Sequence, residues 1–154
     1  PPVYVSGFGP KAAAVAGRIG DGYVSTMPDA DLVRMFREGG GGDKPAQAGF
    51  KAAFAATAAE GTLNVFERWP NSAVPGELSQ ILPTPKHFEQ ASQLATEEKV
   101  AEAFVCGNDA GAHLEMIDTY AQAGFDEVYV ANTGPHYEGL FDLYASSVLP
   151  KLTR

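Results

Sequence analysis

The sequence is poor in cysteine, in positive charge and in long apolar stretches. Cys106 is the only cysteine among 154 residues, which excludes an internal disulfide and favours a reducing compartment. Acidic residues outnumber basic ones by 19 to 11, and the formal net charge of −8 argues against nucleic acid as a partner. No apolar run approaches the roughly 20 residues of a membrane-spanning helix. We therefore expect a cytoplasmic protein that binds neither nucleic acid nor membrane.

The sequence also lacks the spacing of a metal site. His87, His113 and His136 lie far apart, so we predict no metal ligands and assign each histidine a surface or packing role. His136 follows the last predicted strand and could face the mouth of a site. Cys106 follows an apolar pair and is interpreted as a packed thiol rather than a nucleophile.

What the sequence does contain is an alternation of strand and helix signals. Val3–Ser6 and Tyr23–Thr26 read as strands. Between them, Pro10 suits a first helical turn, and Gly20 ends an alanine-rich helix. The glycine run Gly39–Gly42 predicts a flexible loop.

Later segments continue the pattern. The helices predicted after the second strand are Asp29–Glu38, Ala58 to about Trp69, Pro85 to about Leu94, Glu97–Phe104, one that Asp109 caps and Gly124 ends, and one closed by Pro150. Thr57 and Glu60 match a capping box, and Thr84 and Thr96 are predicted to cap the two helices that follow. Phe50–Ala56 is ambiguous between helix and strand, Pro70–Pro83 is a lid, an insertion or a plain surface loop, and Glu127–Asn132 is the last strand. The order predicts a single α/β domain over residues 1–154 with a parallel sheet, either half of a (β/α)₈ barrel or a small open sheet.

The turn "SGFGPK" after the first strand is a candidate anion site. Gly7, Gly9 and Ala12 match a variant of the dinucleotide fingerprint, and Asp29 follows at the distance of its ribose-binding acid. Lys11 adds positive charge to a helix N-terminus. These residues leave two alternatives, an NAD-binding Rossmann-like domain or a tight turn that binds nothing.

The stretch "PPVYVSGFGPKAAAVAGRIGDGYVST" resembles the segment from the fifth to the sixth strand of the bacterial luciferase-like barrels. More narrowly, it resembles the coenzyme F420-dependent oxidoreductases, in the branch that includes glucose-6-phosphate dehydrogenases. The similarity continues through "WPNSAVPGELSQILPTPKHFEQASQLAT", "VCGNDAGAHLEMIDTYAQAGFDEVYV" and "GPHYEGLFDLYASSVLPKL". It implies the C-terminal half, strands five to eight, of a (β/α)₈ TIM barrel. The opening "PPVYV", without methionine, fits the expectation of a piece of a longer enzyme.

The resemblance also implies site residues. The positions that would line the phosphate-bearing tail of F420 are Ser6, Gly7, Phe8, Gly9, Lys11 and Ala12. Thr26 falls where family members contact their small-molecule substrate. The catalytic histidine and glutamate of the family lie in its N-terminal half, outside this sequence. An FMN-dependent monooxygenase of the same fold is the alternative, with FMN as the cofactor.

One departure from the family bears on the substrate. The sugar-phosphate dehydrogenases hold the substrate phosphate with three cationic side chains, and the matching positions here are Asp29, Ser79 and Ala103. None of these is cationic, and a phosphate without partners is costly to desolvate. The resemblance therefore implies an uncharged alcohol or carbonyl substrate rather than glucose 6-phosphate.

Half a barrel would leave two open strand edges and an uncovered inner face, which invite association. We expect the chain to form a homodimer, and an inactive, self-associating fragment is a further alternative. The predicted inner-face residues are Val3, Val5, Val24, Phe54, Val128 and Val130, or their alternates if the register is shifted by one.

Overall fold

The computed structural model describes residues Pro1–Leu152. The strands among these residues are β1 (Tyr4–Ser6), β2 (Gly22–Ser25), β3 (Ala46–Ala53), β4 (Phe104–Cys106) and β5 (Glu127–Asn132). The α-helices are α1 (Pro10–Ile19), α2 (Ala30–Phe36), α3 (Ala58–Arg68), α4 (Leu78–Ile81), α5 (Pro85–Ser92), α6 (Glu97–Ala101), α7 (Ala110–Gln122) and α8 (Tyr137–Leu143). Short 3₁₀ turns cover Pro70–Ala73 and Leu149–Lys151, and π-helical turns cover Arg37–Gly41 and Tyr144–Val148.

The chain forms two compact units. The first comprises Pro1–Phe50 and Leu114–Ala131, and the second comprises Lys51–His113 and the chain from Asn132 onward. The single domain expected from the sequence stays a prediction.

Parallel pairing organises the sheet of the first unit. β1 pairs with β2, and Val5 lies opposite Tyr23. β2 pairs in parallel with the first part of β3, where Tyr23 lies opposite Ala46. Just before β5, the N–H of Asp126 donates to the carbonyl of Ala46 at 2.9 Å.

An aromatic stack forms the core of the first unit. The ring of Tyr23 stacks on Phe36 at a centroid distance of 5.3 Å and on Phe125 at 6.3 Å. Tyr23 and Phe36 are fully buried. The ring of Phe50 contacts Tyr120, whose hydroxyl donates to the carbonyl of Gly49 at 3.0 Å. Stacked rings bury large apolar area in one layer, which fixes the helices against the strands.

The glycine run does not form the flexible loop predicted from the sequence. Arg37–Gly41 continues from α2 as a π-helical turn that is kinked at Gly40, whose φ of +116° lies outside the helical region, and the turn packs closely on α1. A Cβ atom on Gly17 would lie 2.8 Å from the amide nitrogen of Gly41. The guanidinium of Arg37 donates to the carbonyl of Gly42 at 2.8 Å and pairs with Asp126 at 3.1 Å. The missing side chains allow close backbone approach, so glycine here serves packing.

In the second unit, the end of β3 pairs in parallel with β4, with Lys51 opposite Phe104. The core residues are Ala53, Val65, Val100 and Phe104. Phe50–Ala56, ambiguous in the sequence, contributes to strand β3 and not to a helix. The helix predicted over Glu97–Phe104 ends at Ala101, because Phe104 and Val105 are buried as strand residues.

Most predicted helix caps are present. The Thr57 hydroxyl accepts from Glu60 N–H at 3.2 Å, Thr84 from His87 N–H at 3.4 Å, and Thr96 from Lys99 N–H at 3.3 Å. Asp29, predicted inside a helix, instead caps α2 with its carboxylate, which accepts from Asp31 N–H at 2.9 Å and Leu32 N–H at 3.1 Å. A side-chain acceptor at this position satisfies amides that the first helical turn leaves unpaired.

The predicted inner-face set mixes two faces of the sheet. Val5 lies opposite Tyr23, whereas Val24 lies opposite Ser6, so Val5 and Val24 point to opposite faces. Val5 faces α1, because a Cβ atom on Gly20 at the end of that helix would lie 3.0 Å from its methyl group. The prediction that Val5 and Val24 share the inner face was wrong, because the sequence alone does not give the register between the two strands.

Candidate functional site

The opening turn joins β1 to α1 in the first unit. Ser6 ends the strand, and Gly9 precedes the first helical residue, Pro10. The carbonyl of Gly7 accepts a 2.6 Å hydrogen bond from the buried hydroxyl of Tyr23. A Cβ atom on Gly7 would lie 2.8 Å from the Cβ of Ala12, so the turn closes tightly over the helix start.

The six predicted turn residues differ in exposure. Ser6, Phe8, Lys11 and Ala12 are exposed, Gly9 is half-buried and Gly7 is buried. The Phe8 side chain is 55% exposed, which leaves its ring available to a ligand. No heavy atom lies within 4 Å of a Cβ placed on Gly9, so this face of the turn is open to an approaching group.

Two helices begin with the same Pro-Lys pair but differ in their capping. Thr84 precedes Pro85-Lys86 in α5, and its hydroxyl accepts from His87 N–H. Gly9 precedes Pro10-Lys11 in α1 and offers no side-chain acceptor. The first amides of α1 therefore remain available to an external acceptor, beside the partial positive charge of the helix end.

Thr26 lies at the same sheet edge as the opening turn. It directly follows β2, is exposed, and its carbonyl accepts from the Tyr120 hydroxyl at 3.2 Å. Because β1 and β2 are parallel neighbours with Ser6 opposite Val24, the ends of both strands meet at this edge. The structure thus places Thr26 and the opening turn after the carboxyl ends of two neighbouring parallel strands, and their contacts with cofactor and substrate stay predictions.

The positions matched to the cationic phosphate clamp make other contacts. The carboxylate of Asp29 caps α2. The hydroxyl of Ser79 donates to the carbonyl of Gly76 at 3.0 Å, and Ala103 is an exposed residue without a polar side chain. None of the three offers positive charge to an anion.

The second unit contains a cleft of about 580 Å³ that the sequence did not predict as a site. We call it the β5-loop cleft. It is lined by Phe54, Ala56, Glu60, Asn108, Pro135, His136, Tyr137, Glu138 and Gly139. His136 Nε2 lies 3.5 Å from Glu60 Oε1, and Glu60 Oε2 accepts from the N–H of Ala56 at 3.2 Å. The signals available in the sequence were the capping box that ends at Glu60 and the position of His136 after the last strand.

A larger, more apolar pocket of about 890 Å³ adjoins the predicted lid. Pro70 and Asn71 line it from the 3₁₀ turn, and Leu82 and Pro83 line it from the end of the segment. The segment Pro70–Pro83, which the sequence predicted as a loop or insertion, is partly helical, because it contains the 3₁₀ turn Pro70–Ala73 and helix α4 at Leu78–Ile81. Its role as a lid stays a prediction.

Cys106, His113 and His87, which the sequence analysis considered as candidate site residues, make structural contacts. Burial raises the pKa of the half-buried Cys106 thiol, which disfavours the nucleophilic thiolate. His113 is fully buried, its Nδ1 lies 3.1 Å from the Tyr144 hydroxyl, and burial lowers its pKa. His87 is exposed beside Thr84. Within residues 1–152, no group of three or more His, Cys, Asp or Glu could hold a metal, and no helix has the length and apolar character to cross a membrane.

Known proteins resemble the chain over nearly all of its length. No protein-family model matches it. It is 28% identical over 160 residues to the F420-dependent hydroxymycolic acid dehydrogenase of Mycobacterium tuberculosis (strain ATCC 25618 / H37Rv), which covers 99% of this chain and 43% of that protein. It is 25% identical over 166 residues to the F420-dependent glucose-6-phosphate dehydrogenase of Beutenbergia cavernae, covering 98% of this chain and 48% of that protein.

A solved structure gives the same result for the fold. An F420-dependent secondary alcohol dehydrogenase, in complex with an F420–acetone adduct, superposes with a TM-score of 0.78 at 23% identity. The match covers 99% of this chain and 49% of that one, so the predicted half-barrel fold is confirmed. The chain spans about half the length of the curated relatives it matches. These similarities confirm the resemblance drawn from the sequence: the chain is similar to about half the length of F420-dependent oxidoreductases, and its fold is that of half a luciferase-like barrel.

Proposed function

We propose that this chain is the C-terminal half of an F420-dependent oxidoreductase, with the opening turn binding the phosphate-bearing tail of the cofactor. The observation that carries the proposal is the uncapped N-terminus of α1 beside Lys11, at the position where the F420 family holds that tail. F420, when bound, supplies a carbon that accepts or donates a hydride. The residues present fit the tail: free amides, one ammonium group and an open face at Gly9 suit a phosphate.

Direct titration of F420 into the chain tests the cofactor assignment. We expect saturable binding of F420, followed by its fluorescence, and weaker binding of FMN. Lys11→Gln should weaken F420 binding several-fold at low salt, because one charge facing the phosphate is lost. Lys86→Gln is the matched control, since Lys86 holds the equivalent place in α5, whose first turn is already capped by Thr84. Equal losses from both variants would contradict the proposal.

Gly9→Val tests the open face of the turn. Gly9 has φ of −146°, an extended conformation that valine adopts without strain, so the variant should fold. The added side chain would occupy the space through which the tail approaches. We expect F420 affinity to fall at least about tenfold while thermal stability is unchanged. Unaltered affinity would remove the turn from the cofactor site.

For the substrate, we propose a small uncharged alcohol or carbonyl compound. The alcohol would transfer a hydride from its carbon to F420 and the proton of its hydroxyl to a base outside this chain as the carbonyl forms, and Thr26 would contact the substrate in this half. The support is the absence of cationic groups at Asp29, Ser79 and Ala103. In the full-length protein that contains this chain, F420 reduction should be faster with a neutral secondary alcohol than with glucose 6-phosphate. Preference for the sugar phosphate in steady-state assays would refute this substrate class.

Two other proposals complete the assignment. Pro70–Pro83 would act as a lid, and its cleavage by protease should then slow when cofactor and substrate are both present.

An isolated chain that binds neither F420 nor FMN would favour the alternative of an inactive, self-associating fragment. Tighter binding of FMN than of F420 would favour the monooxygenase alternative.

A further inference from the structure

We propose that the β5-loop cleft binds a neutral molecule carrying several hydroxyl groups. The proposal concerns the second unit alone and does not require F420. The cleft volume of about 580 Å³ lies within the range of small-molecule sites, roughly 300–1,000 Å³.

The polar side chains of the cleft supply both kinds of hydrogen-bonding partner. The carboxylates of Glu60 and Glu138 accept hydrogen bonds, whereas the Asn108 amide both donates and accepts. Among the described residues, the side chains of Asn108 and Glu138 make no hydrogen bond or ion pair with the protein. A hydroxyl group donates and accepts at once, so it can use acceptors and donors placed side by side.

One carboxylate of the cleft is held in place. Glu60 Oε2 accepts from the N–H of Ala56 at 3.2 Å, and Glu60 Oε1 lies 3.5 Å from His136 Nε2. The side chains of Glu60 and His136 remain 45% and 50% exposed. The pair is thus oriented by protein contacts and still accessible to a ligand, which lowers the ordering cost of binding.

The charge of the side chains that line the cleft disfavours an anionic ligand. No Lys or Arg of the described chain lines the cleft, and two carboxylates do. A phosphate or carboxylate ligand would lose its hydration and face negative charge without compensation. The rings of Phe54 and Tyr137 give the cleft apolar surface that can pack against the C–H face of a sugar-like molecule.

Close backbone packing holds the walls of the cleft. A Cβ atom on Gly139 would overlap the Phe54 ring, so this ring lies directly on the backbone of α8. Gly107, with φ of +97°, turns the chain after β4, and a Cβ there would lie 2.9 Å from the amide nitrogen of Ala58. The Asn132 side chain donates to the Gly134 carbonyl at 3.1 Å and accepts from its N–H at 3.3 Å, which fixes the loop before Pro135. The cleft is preformed.

Three sugars of similar size and different charge test the proposal. Glucose, glucosamine and glucose 6-phosphate are titrated separately into the ¹⁵N-labelled chain, and amide shifts are followed by NMR. We expect glucose to shift the amides of Asn108, His136 and Glu138 saturably, and glucose 6-phosphate to bind at least about tenfold more weakly. Equal or tighter binding of the phosphate, binding of glucosamine alone, shifts confined to other residues, or no binding would each overturn the proposal.

Two variants locate the binding residues. Glu60→Gln keeps an acceptor for Ala56 N–H but removes the charge, and should weaken glucose binding about five- to tenfold. His136→Gln leaves the capping box intact and guards against a folding defect in the first variant. Glu67→Gln, on the same helix but outside the cleft, is the control and should bind glucose normally. Normal glucose binding by both cleft variants would also overturn the proposal. Because no F420 is present, failure here is distinct from failure of the cofactor assignment.

Discussion

The hydroxyl of Tyr23 donates a 2.6 Å hydrogen bond to the carbonyl of Gly7, and this buried contact fastens the opening turn to the neighbouring strand. The same ring lies between Phe36 and Phe125 in the core of its unit. Burial raises the pKa of Tyr23, which keeps the donor proton in place at neutral pH. The conformation of the turn is therefore coupled to the aromatic core.

Removing this hydroxyl should loosen the turn. Tyr23→Phe leaves the buried Gly7 carbonyl without its partner, and we expect the free energy of unfolding to fall by about 1–3 kcal/mol. Urea denaturation provides the measurement. Tyr137→Phe is the control, because the Tyr137 side chain is exposed, and it should leave stability unchanged. Equal stability of Tyr23→Phe and the parent chain would show that the hydrogen bond contributes nothing net.

Alanine should be tolerated very differently at two helical glycines. Helix propensity favours Gly→Ala by about 1 kcal/mol in a helix interior. At Gly17 the added Cβ would overlap the Phe36 carbonyl oxygen, so we expect a net loss of about 1–3 kcal/mol. At Gly111 the nearest heavy atom is a carboxylate oxygen of Asp109 at 3.1 Å, which also accepts from Gly111 N–H at 2.8 Å, so only a small shift of one side chain is needed and Gly111→Ala should cost less than Gly17→Ala. Thermal unfolding of both variants gives the comparison, and a stabilised Gly17→Ala would contradict the close packing.

Alkaline pH should destabilise the chain through its buried tyrosines. Burial raises the pKa of Tyr144 from 10.0 to about 12, so the folded state favours the neutral phenol. Its contribution to stability is complete below the unfolded pKa of 10.0 and is lost as pH rises towards about 12. Tyr144→Phe should therefore lose less stability than the parent chain between about pH 10 and about pH 12 in urea denaturation. Identical pH slopes would show that Tyr144 does not carry this dependence.

The chain should self-associate. The homologous enzymes are about twice its length, so a half-barrel leaves strand edges without partners. Light scattering coupled to size exclusion should give about twice the chain mass of 16.2 kDa or more. A monodisperse monomer with a single cooperative unfolding transition would show that the chain closes its own core.

Local signals in the sequence predicted much of the fold. Thr57, Thr84 and Thr96 each cap the helix they were expected to cap, because the cap depends on one side chain and an amide three residues later. β4 was missed as a strand because Phe104–Cys106 is only three residues long and is held by pairing with Lys51–Ala53. That partner lies 53 residues earlier in the sequence, where local patterns carry no information.

The two candidate sites also differed in how far local sequence patterns indicate them. The opening turn could be proposed as a site from the sequence, since Gly7, Gly9, Pro10 and Lys11 lie within five residues. The β5-loop cleft could not, because Glu60, Asn108 and His136 come from three separate segments that meet only in the folded unit. Register also escaped prediction, so Val5 and Val24 were placed on one face although they point to opposite ones.

The capping contact of Asp29 links substrate choice to folding. If a lysine at this position were needed to hold a phosphate, Asp29→Lys would remove the acceptor for two amides of α2 and place positive charge at the positive end of the helix. The loss would be about 0.5–2 kcal/mol. A change to a cationic residue at position 29 therefore carries a stability cost, unless another side chain caps α2.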